Sequence, residues 1–258
     1  MTADRLGVPA HGVVVTGGGS GIGAGICAAL AEVGRPVGVW DRDGTSAERV
    51  AEHCRDRGVA ALAVTLDVVD DDAVAAAVGP TVAALGRVGG LVHAAGIVQA
   101  ALDDVIDVAS WDQVLATHLR AYAFVVRAVL PELRRAGPGA AIVGISSIEG
   151  LVGHGAIPSY TAAKHGMIGL TRSLAHRLGP EGVRVNAVCP GYIETPMLAP
   201  AIGDTAARAS LEAHVPLGRL GAPADVAAVV RFLLSDESRY VHGAAVVVDG
   251  GVTATGGQ

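Results

Sequence analysis

The sequence predicts one α/β domain in which a doubly wound parallel sheet of about seven strands is covered by helices on both faces. Short apolar, β-branched runs alternate with amphipathic helical patterns along the chain, which is typical of repeated β-α-β units. Aromatic residues make up only 3% of the composition, which suits closely packed strands and helices with small side chains. We expect the 258 residues to form a single domain over 1–258, because no linker, repeat or low-complexity segment divides them.

Hydrophobic periodicity assigns the elements in order along the chain. The predicted strands lie near 12–16, 36–40, 60–65, 89–93, 139–144, 183–188 and 244–248. The predicted helices lie near 22–33, 46–57, 70–85, 109–134, 157–178 and 223–235. The strand segments are nearly continuous apolar runs, as expected for a parallel sheet that is buried on both faces.

A glycine-rich turn joins the first strand to the first helix in "HGVVVTGGGSGIGAGICAALAEVG". Its glycines permit a tight turn, close approach of the backbone to a pyrophosphate, and close packing of helix on strand. The helix N-terminus then presents free N–H groups and a positive dipole end to phosphate. The residues expected to contact a dinucleotide here are Gly17, Gly19, Ser20, Gly21, Ile22 and Gly23.

Asp41 ends the predicted second strand, eighteen residues after Gly23. A carboxylate in this place can accept two hydrogen bonds from the adenosine ribose hydroxyls. It would repel a 2′-phosphate by about 1 kcal/mol in water and by more near protein. Arg42 and Arg35 could soften that repulsion, but the turn itself has no basic residue. We therefore predict NAD as the cofactor; the alternative is that Asp41 is only a solvated turn residue.

Tyr160 and Lys164 lie four residues apart in a segment with helical periodicity, so both side chains emerge from one helix face. A phenol with its ordinary pKa near ~10 is a poor base at neutral pH. Lowering that pKa to about 7 needs roughly 4 kcal/mol, and one cation at about 4 Å supplies about that much. Burial would oppose the change, so a second positive charge, such as an oxidised nicotinamide ring, would help. A Tyr-x-x-x-Lys pair also occurs by chance on many helices.

Together these motifs resemble those of the short-chain dehydrogenase/reductase family over nearly the whole chain. The matching segments are "TGGGSGIG" (16–23), "LDV" (66–68), "HAAG" (93–96), "ISS" (145–147), "YTAAK" (160–164), "CPGYIETPM" (189–197) and "VDGG" (248–251). The resemblance implies a Rossmann-type fold and hydride transfer between NAD(H) and a secondary alcohol or ketone. It also implies a homodimer or homotetramer.

The resemblance assigns a role to each matching residue. Tyr160 would be the general acid/base, Ser147 would hold the substrate oxygen, and Lys164 would bind the nicotinamide ribose and tune Tyr160. Asp67 would contact adenine, although a lone Asp after a strand is also a common helix cap. The further cofactor contacts implied are Val68, Ala94, Ala95, Gly96, Pro190, Gly191, Ile193 and Thr195. Ser146 is expected to be structural, because strand alternation points it away from Ser147.

Two segments depart from the family pattern. His93 and Ala94 replace the first two residues of the usual "NNAG", and His118 stands where most relatives carry an asparagine. That asparagine usually stabilises a helix kink and helps hold a water that links the lysine to solvent. The backbone carbonyl of His118 can still hold this water, so we expect an active enzyme with His118 in the catalytic group.

Two alternatives to an NAD-dependent alcohol dehydrogenase stay open. The first is an NADPH-dependent 3-oxoacyl-thioester reductase, against which Asp41 argues. The second is a dinucleotide-binding sensor or scaffold without turnover, against which the intact Ser147, Tyr160 and Lys164 argue. The substrate is not named by the sequence, but its pocket is expected to include Glu149, His154, Ile157, Tyr192 and a lid over 198–215.

Composition disfavours other classes of partner. A net charge of −6 without a basic run argues against nucleic acid and anionic membrane surfaces. The three cysteines and nine histidines show no metal-binding spacing. Residues 1–10 lack the apolar core of a signal peptide, and we expect a cytoplasmic protein with reduced cysteines and a small-molecule substrate.

Overall fold

The computed structural model describes residues 11–100 and 106–255, and a single sheet of seven strands runs through them. The strands are β1 Gly12–Thr16, β2 Val37–Asp41, β3 Ala61–Thr65, β4 Val88–His93, β5 Ala141–Ile145, β6 Arg184–Pro190 and β7 Ala245–Val248. All neighbours pair in parallel, in the order β3-β2-β1-β4-β5-β6-β7. The predicted doubly wound α/β fold is therefore confirmed. The segment 1–10, on which the signal-peptide expectation rests, lies outside the described residues.

Helices cover both faces of the sheet, as predicted. They are α1 Gly21–Ala31, α2 Gly44–Arg55, α3 Asp71–Leu85, α4 Val108–Leu115, α5 Ala121–Ala136, α6 Pro158–Leu178, α7 Ala199–Ile202, α8 Thr205–Ala213 and α9 Pro223–Leu233. Helices α1, α2 and α9 pack on the face that receives Val13 and Val15, whereas α3, α5 and α6 pack on the face that receives Val14. This division follows from the alternation of side chains along a buried strand.

The segment expected to form a lid is more helical than its weak periodicity indicates. It contains α7 and α8, and Asp204 caps α8 by accepting hydrogen bonds from the N–H groups of Ala206 and Ala207, both at 2.9 Å. Pro200 lies in the first turn of α7, and Gly203 follows its last residue with a φ of 50°. Pro200 therefore lies at the start of α7 and Gly203 at its end, and neither residue makes the segment a loop.

One helical segment runs continuously from Val108 to Ala136, and a π-helical turn over Ala116–Arg120 interrupts its regular α-helix. By length and composition alone this segment could cross a membrane. Its buried side chains, which include Tyr122, Val125 and Leu133, pack with strand residues in the core of the domain. The segment is therefore a core helix of the domain. Its π-turn is of a kind that is frequent at functional sites.

The sheet places the glycine-rich turn at its topological switch point. From β1 the chain continues outward through β2 and β3, whereas β4 begins the other half of the sheet, so a crevice opens between the loops after β1 and β4. These loops are in close contact, because a Cβ on Gly17 would come within 2.7 Å of the Ala95 backbone. Helix α1 packs just as closely on the glycine-rich turn, since a Cβ on Gly23 would lie 2.0 Å from the Gly17 carbonyl oxygen.

Gly23→Ala should therefore destabilise the protein and weaken dinucleotide binding. The methyl group meets rigid backbone, so the cost should reach the upper end of overpacking effects, about 3 kcal/mol. Urea unfolding and cofactor titration would measure the two losses. Gly169→Ala is the matched control: Gly169 lies in α6 with nothing within 4 Å of its Cβ position, and the change should stabilise the protein by about 0.5–1 kcal/mol. Similar behaviour of both variants would contradict the packing argument.

Candidate active site

A cavity of about 630 Å³ lies at the carboxyl ends of the strands on both sides of the switch point. Gly17 reaches it from the end of β1, Asp41 from β2, Ser147 from β5 and Pro190 from β6. Every residue that the sequence assigns to the cofactor or to catalysis lines this cavity, except Gly19. The fold thus brings together, in one concave site, motifs that are spread over most of the chain.

One end of the cavity is formed by the N-terminus of α1. Gly17 and Gly21 adopt φ angles of 64° and 50°, which favour glycine and shape the turn. Ser20 is the N-cap residue, and within the described part of the chain its side chain caps no N–H group of the first helical turn. These donors and the positive end of the helix dipole therefore suit a pyrophosphate.

Asp41 is held in place by the loop around it. Its Oδ2 accepts a hydrogen bond from the Gly19 N–H at 2.9 Å, and its Oδ1 accepts one from the Asp43 N–H at 3.0 Å. A Cβ on Gly19 would come within 2.9 Å of Oδ2, so Gly19 orients Asp41 and does not line the cavity. The suggestion that Arg35 offsets the charge of Asp41 is wrong: Arg35 is buried and donates to the carbonyls of His11 and Leu234.

Asp67 lies at the predicted adenine end of the cavity and is exposed. Its Oδ1 accepts a hydrogen bond from the Val69 N–H at 3.1 Å, which forms a local turn. The N-cap of α3 is instead Asp70, whose Oδ1 accepts from the N–H groups of Asp72 and Ala73. The capping alternative for Asp67 is therefore wrong.

The two adjacent serines after β5 have different surroundings. Both serines line the cavity. Ser146 donates to the Lys164 carbonyl oxygen at 3.0 Å and so ties β5 to α6, which suits the structural role expected of it. The Oγ of Ser147 accepts the N–H of Glu149 at 3.1 Å. The Ser147 hydroxyl hydrogen can then donate to Tyr160 or to a substrate oxygen in the cavity.

Tyr160 and Lys164 meet on one face of α6, as their spacing predicts. The Lys164 Nζ lies 5.2 Å from the centre of the Tyr160 ring and donates to the Ile145 carbonyl oxygen at 2.8 Å. Burial raises the pKa of Tyr160 to about 12, although a hydrogen bond with Ser147 opposes this change. Burial also lowers the pKa of Lys164 to about 7. Desolvation thus has a larger effect on the Tyr160 pKa than Lys164 does, which is the opposition from burial that the sequence analysis expected.

His118 lies in the π-turn and packs edge-on against Tyr160, with ring centres 5.2 Å apart. Its Nε2 lies 2.7 Å from the Ile97 carbonyl oxygen and 3.1 Å from the Ile97 N, whereas its buried Nδ1 has no partner among the described residues. Burial, and secondly the charge of Lys164, hold the pKa of His118 well below its usual value. A Cβ on Gly96 would come within 2.3 Å of the imidazole, so the glycine of "HAAG" makes room for the ring.

His93 is the second buried imidazole of this region. Its Nδ1 lies 3.0 Å from the Thr16 hydroxyl, and its ring stacks on Tyr122 at 5.4 Å. Burial and the charge of Lys164 lower the pKa of His93 to about 3, against an opposing influence of the π-turn carbonyls of Thr117 and His118. His93 therefore joins β1, β4 and the kinked helix as a neutral side chain.

The opposite end of the cavity contains the residues expected to surround a substrate. Glu149, His154, Ile157 and Tyr192 line it, together with three apolar residues of the lid segment. Those lid residues are Leu198, Ala201 and Leu211. Sequence reasoning missed Ile97 and Met197, which also line the cavity and which directly extend or end the matching motifs "HAAG" and "CPGYIETPM".

Among residues 11–100 and 106–255, no three His, Cys, Asp or Glu side chains are placed to hold a metal ion. All three cysteines are free and buried. The groups that line the cavity include hydroxyl, ammonium, imidazole and carboxyl groups.

Comparisons with known proteins match nearly the whole chain. Residues 17–253 match the family model described as enoyl-(acyl carrier protein) reductase. The chain is 44% identical to a cis-4-hydroxycyclohexanecarboxylate dehydrogenase of Sinomonas cyclohexanicum, over 93% of this chain and 96% of that protein. It is 36% identical to a 3-oxoacyl-[acyl-carrier-protein] reductase of Staphylococcus aureus, over 93% and 96%.

A solved structure extends the comparison to the fold. The structure is that of an Agrobacterium tumefaciens protein proposed to be a 2-deoxy-D-gluconate 3-dehydrogenase, with NADP bound. It superimposes with a TM-score of 0.86 and 34% identity, over 95% of this chain and 96% of the other. The chain therefore belongs to the short-chain dehydrogenase/reductase family, and it is an oxidoreductase that acts on alcohols or ketones.

Proposed function

We propose that this protein is an NAD(H)-dependent dehydrogenase that interconverts a secondary alcohol and its ketone within one catalytic domain. The observation that supports this proposal most is the convergence of Ser147, Tyr160 and Lys164 on the cavity that also contains Asp41 and the N-terminus of α1. Proton-transfer groups and a dinucleotide-binding turn are thus within reach of one ligand. A sensor that only binds a dinucleotide would not require the proton-transfer groups.

The residues present fit a nicotinamide dinucleotide. The α1 N-terminus suits the pyrophosphate, and Asp41 suits the adenosine ribose. Lys164 would bind the nicotinamide ribose, and Pro190, Gly191, Ile193 and Thr195 would hold the carboxamide. A bound nicotinamide would supply the hydride chemistry. The protein's own task is then to hold the substrate oxygen and to move one proton.

That proton passes through the Tyr160 hydroxyl. Ser147 donates its hydroxyl hydrogen to the substrate oxygen and so directs that oxygen towards Tyr160. With a pKa of about 12, the free phenol is protonated at neutral pH and suited to donate. For Tyr160 to act as a base near neutrality its phenolate must be stabilised by about 7 kcal/mol, whereas a single ammonium at about 5 Å supplies about 3 kcal/mol. An oxidised nicotinamide is the second cation that this difference requires.

A reductase of 3-oxoacyl thioesters that uses NADPH is the alternative with support among the relatives. One relative is such a reductase by name, and one similar structure contains NADP. Against it, both oxygens of Asp41 are fixed by backbone N–H groups beside the ribose position, where a 2′-phosphate would meet a negative charge. Arg42 lines the same end of the cavity but is exposed and therefore well screened.

Assembly and location belong to the same proposal. We propose a homodimer or homotetramer in the cytoplasm, because the family resemblance implies subunit pairing and all three cysteines are free thiols. Light scattering of the purified protein would give the number of subunits.

NAD should bind about tenfold tighter than NADP, a difference of about 1.4 kcal/mol. The reason is the charge of Asp41, so Asp41→Asn should reduce the preference. Asp56→Asn, which removes a charge at the exposed end of α2, should leave it unchanged. Fluorescence titration with both cofactors gives the dissociation constants. Equal or tighter binding of NADP to the unmodified protein would contradict the assignment.

Tyr160→Phe should reduce turnover by about 10²–10⁴-fold, which is the usual contribution of a general acid/base. NAD affinity should stay within a few-fold, because the ribose contact is assigned to Lys164. Steady-state kinetics and cofactor titration test both statements. Tyr240→Phe, at a fully exposed position, is the control. Full turnover in Tyr160→Phe would place the proton transfer elsewhere.

His118→Asn should preserve turnover within about tenfold, because we assign the relay function to the backbone carbonyl of residue 118. Since the pKa of His118 is lowered, the imidazole is already neutral at working pH, and the acid limb of the pH–rate profile should change little. His176→Asn, on the exposed end of α6, is the control. If His118→Asn abolishes turnover or removes an ionisation near neutrality, the imidazole itself is a proton carrier.

A further inference from the structure

Glu149 is a buried acidic residue whose carboxyl group contains an unpaired oxygen. Its exposed fraction is 8%, and its Oε2 forms no hydrogen bond among the residues that the structure describes. Buried charged groups usually have hydrogen-bond partners. The buried Arg184 is an example, because it donates to the Leu233 and Ser235 carbonyls and to the Ser238 hydroxyl. A buried polar group without a partner is costly for the fold, so the position of Glu149 calls for an explanation.

The carboxyl group of Glu149 lies at the substrate end of the cavity. Glu149 occupies a single 3₁₀ turn, Ile148–Gly150, directly after Ser147, and its side chain lines the cavity. Its charge raises the pKa of two phenols that line the same cavity. For Tyr192 this charge is the second-largest cause, after burial. It also contributes to the raised pKa of Tyr160. The group thus faces the place where a substrate oxygen would meet Ser147 and Tyr160.

The surroundings of Glu149 leave the carboxyl available to a ligand. Burial raises its pKa, and the nearby His154 and His165 oppose that change. Both histidines are exposed, and neither forms an ion pair with Glu149 within the described ranges. The backbone N–H of Glu149 is engaged by Ser147, so the main chain of this turn is fixed while its carboxyl group is unpaired.

We propose that Glu149 selects the substrate by accepting a hydrogen bond from a second hydroxyl group, so that the enzyme prefers neutral diols or polyols to hydroxy acids. This inference rests on the proposed alcohol dehydrogenase activity. A carboxylate is an acceptor only, and it pairs with a hydroxyl donor in a charge-assisted hydrogen bond. A substrate carboxylate would instead bring a second negative charge into a cavity of low polarity.

A cationic substrate fits this cavity less well than a neutral one. Lys164 lies beside Tyr160 in the same cavity, and the oxidised nicotinamide proposed above would add a second positive charge. An ammonium group would be attracted by Glu149 but repelled by both of these charges. The substrate that we expect this chain to prefer also differs from the one for which the 44% identical relative is named, the hydroxy acid cis-4-hydroxycyclohexanecarboxylate.

The test compares four ring alcohols that share one reacting centre: cyclohexanol, cyclohexane-1,4-diol, 4-hydroxycyclohexanecarboxylate and 4-aminocyclohexanol. For the unmodified enzyme with NAD, kcat/KM should be highest for the diol, by about tenfold over the others. A preference for the hydroxy acid or for the amino alcohol would overturn the proposal.

Two substitutions separate charge from hydrogen bonding at Glu149. Glu149→Gln keeps the size and an acceptor oxygen but removes the charge, so kcat/KM for the hydroxy acid should rise about tenfold. Glu149→Leu removes the acceptor, so the ratio of kcat/KM for the diol to kcat/KM for cyclohexanol should fall to about one. The ratio cancels any effect of the lost charge on Tyr160, which acts on both alcohols alike. Glu237→Gln, an equal charge change at an exposed position away from the cavity, should leave every ratio unchanged.

The outcomes distinguish this inference from the function on which it rests. If the enzyme oxidises these alcohols but the ratios are the same in Glu149→Gln and Glu149→Leu as in the unmodified protein, the role of Glu149 is refuted and the dehydrogenase activity stands. If thermal unfolding and NAD binding show that the variants are folded, loss of selectivity supports the role. Absence of turnover with every alcohol would count against the proposed function itself.

Discussion

Desolvation of the Tyr160 phenol is the constraint on which the rest of the site depends. With a pKa raised by burial to about 12, the phenol keeps its proton until positive charge is placed beside it. Lys164 is one such charge, held 5.2 Å away by the Ile145 carbonyl, but burial also weakens its own charged form. A cationic ring bound in the same cavity would add a second positive charge and favour the phenolate. Under the proposed function, cofactor binding and proton transfer would be linked for this electrostatic reason.

Burial also explains how the structure accommodates two imidazole rings close to Lys164. A charged histidine at position 93 or 118 would be repelled by the positive charge of Lys164. Burial and Lys164 together lower both pKa values, so each ring stays a neutral packing and hydrogen-bonding group. Space is made by Gly96, whose missing Cβ would lie within 2.3 Å of the His118 ring. Loops and helix are thus packed around rings that must remain uncharged.

The fold could be predicted from the sequence because it depends on local periodicity, and the residues that the family resemblance assigns to the site line one cavity, with the exception of Gly19. Alternating periodicities gave the seven strands, and the parallel sheet then brings the loops after β1, β4, β5 and β6 to one edge. Properties that depend on distant neighbours could not be predicted. The direction of the Tyr160 pKa depends on burial, and the place of Arg35 depends on a carbonyl at Leu234, far along the chain. The α-helices of the lid segment were missed because Pro200 and Gly203 look like breakers but lie at helix ends.

Two carboxylates at opposite ends of the cavity show how its selectivity is arranged. Asp41 has both oxygens engaged by backbone N–H groups, which fixes its direction and leaves lone pairs for the hydroxyls of a ribose. Glu149 has a buried oxygen without a partner among the described residues, and we propose that a substrate hydroxyl supplies the donor. Under the proposed function each carboxylate would accept a hydroxyl and oppose an anion, a 2′-phosphate at one end and a substrate carboxylate at the other. Selection at both ends thus follows from one physical rule: in a cavity of low polarity, an acceptor-only group favours donors and disfavours like charge.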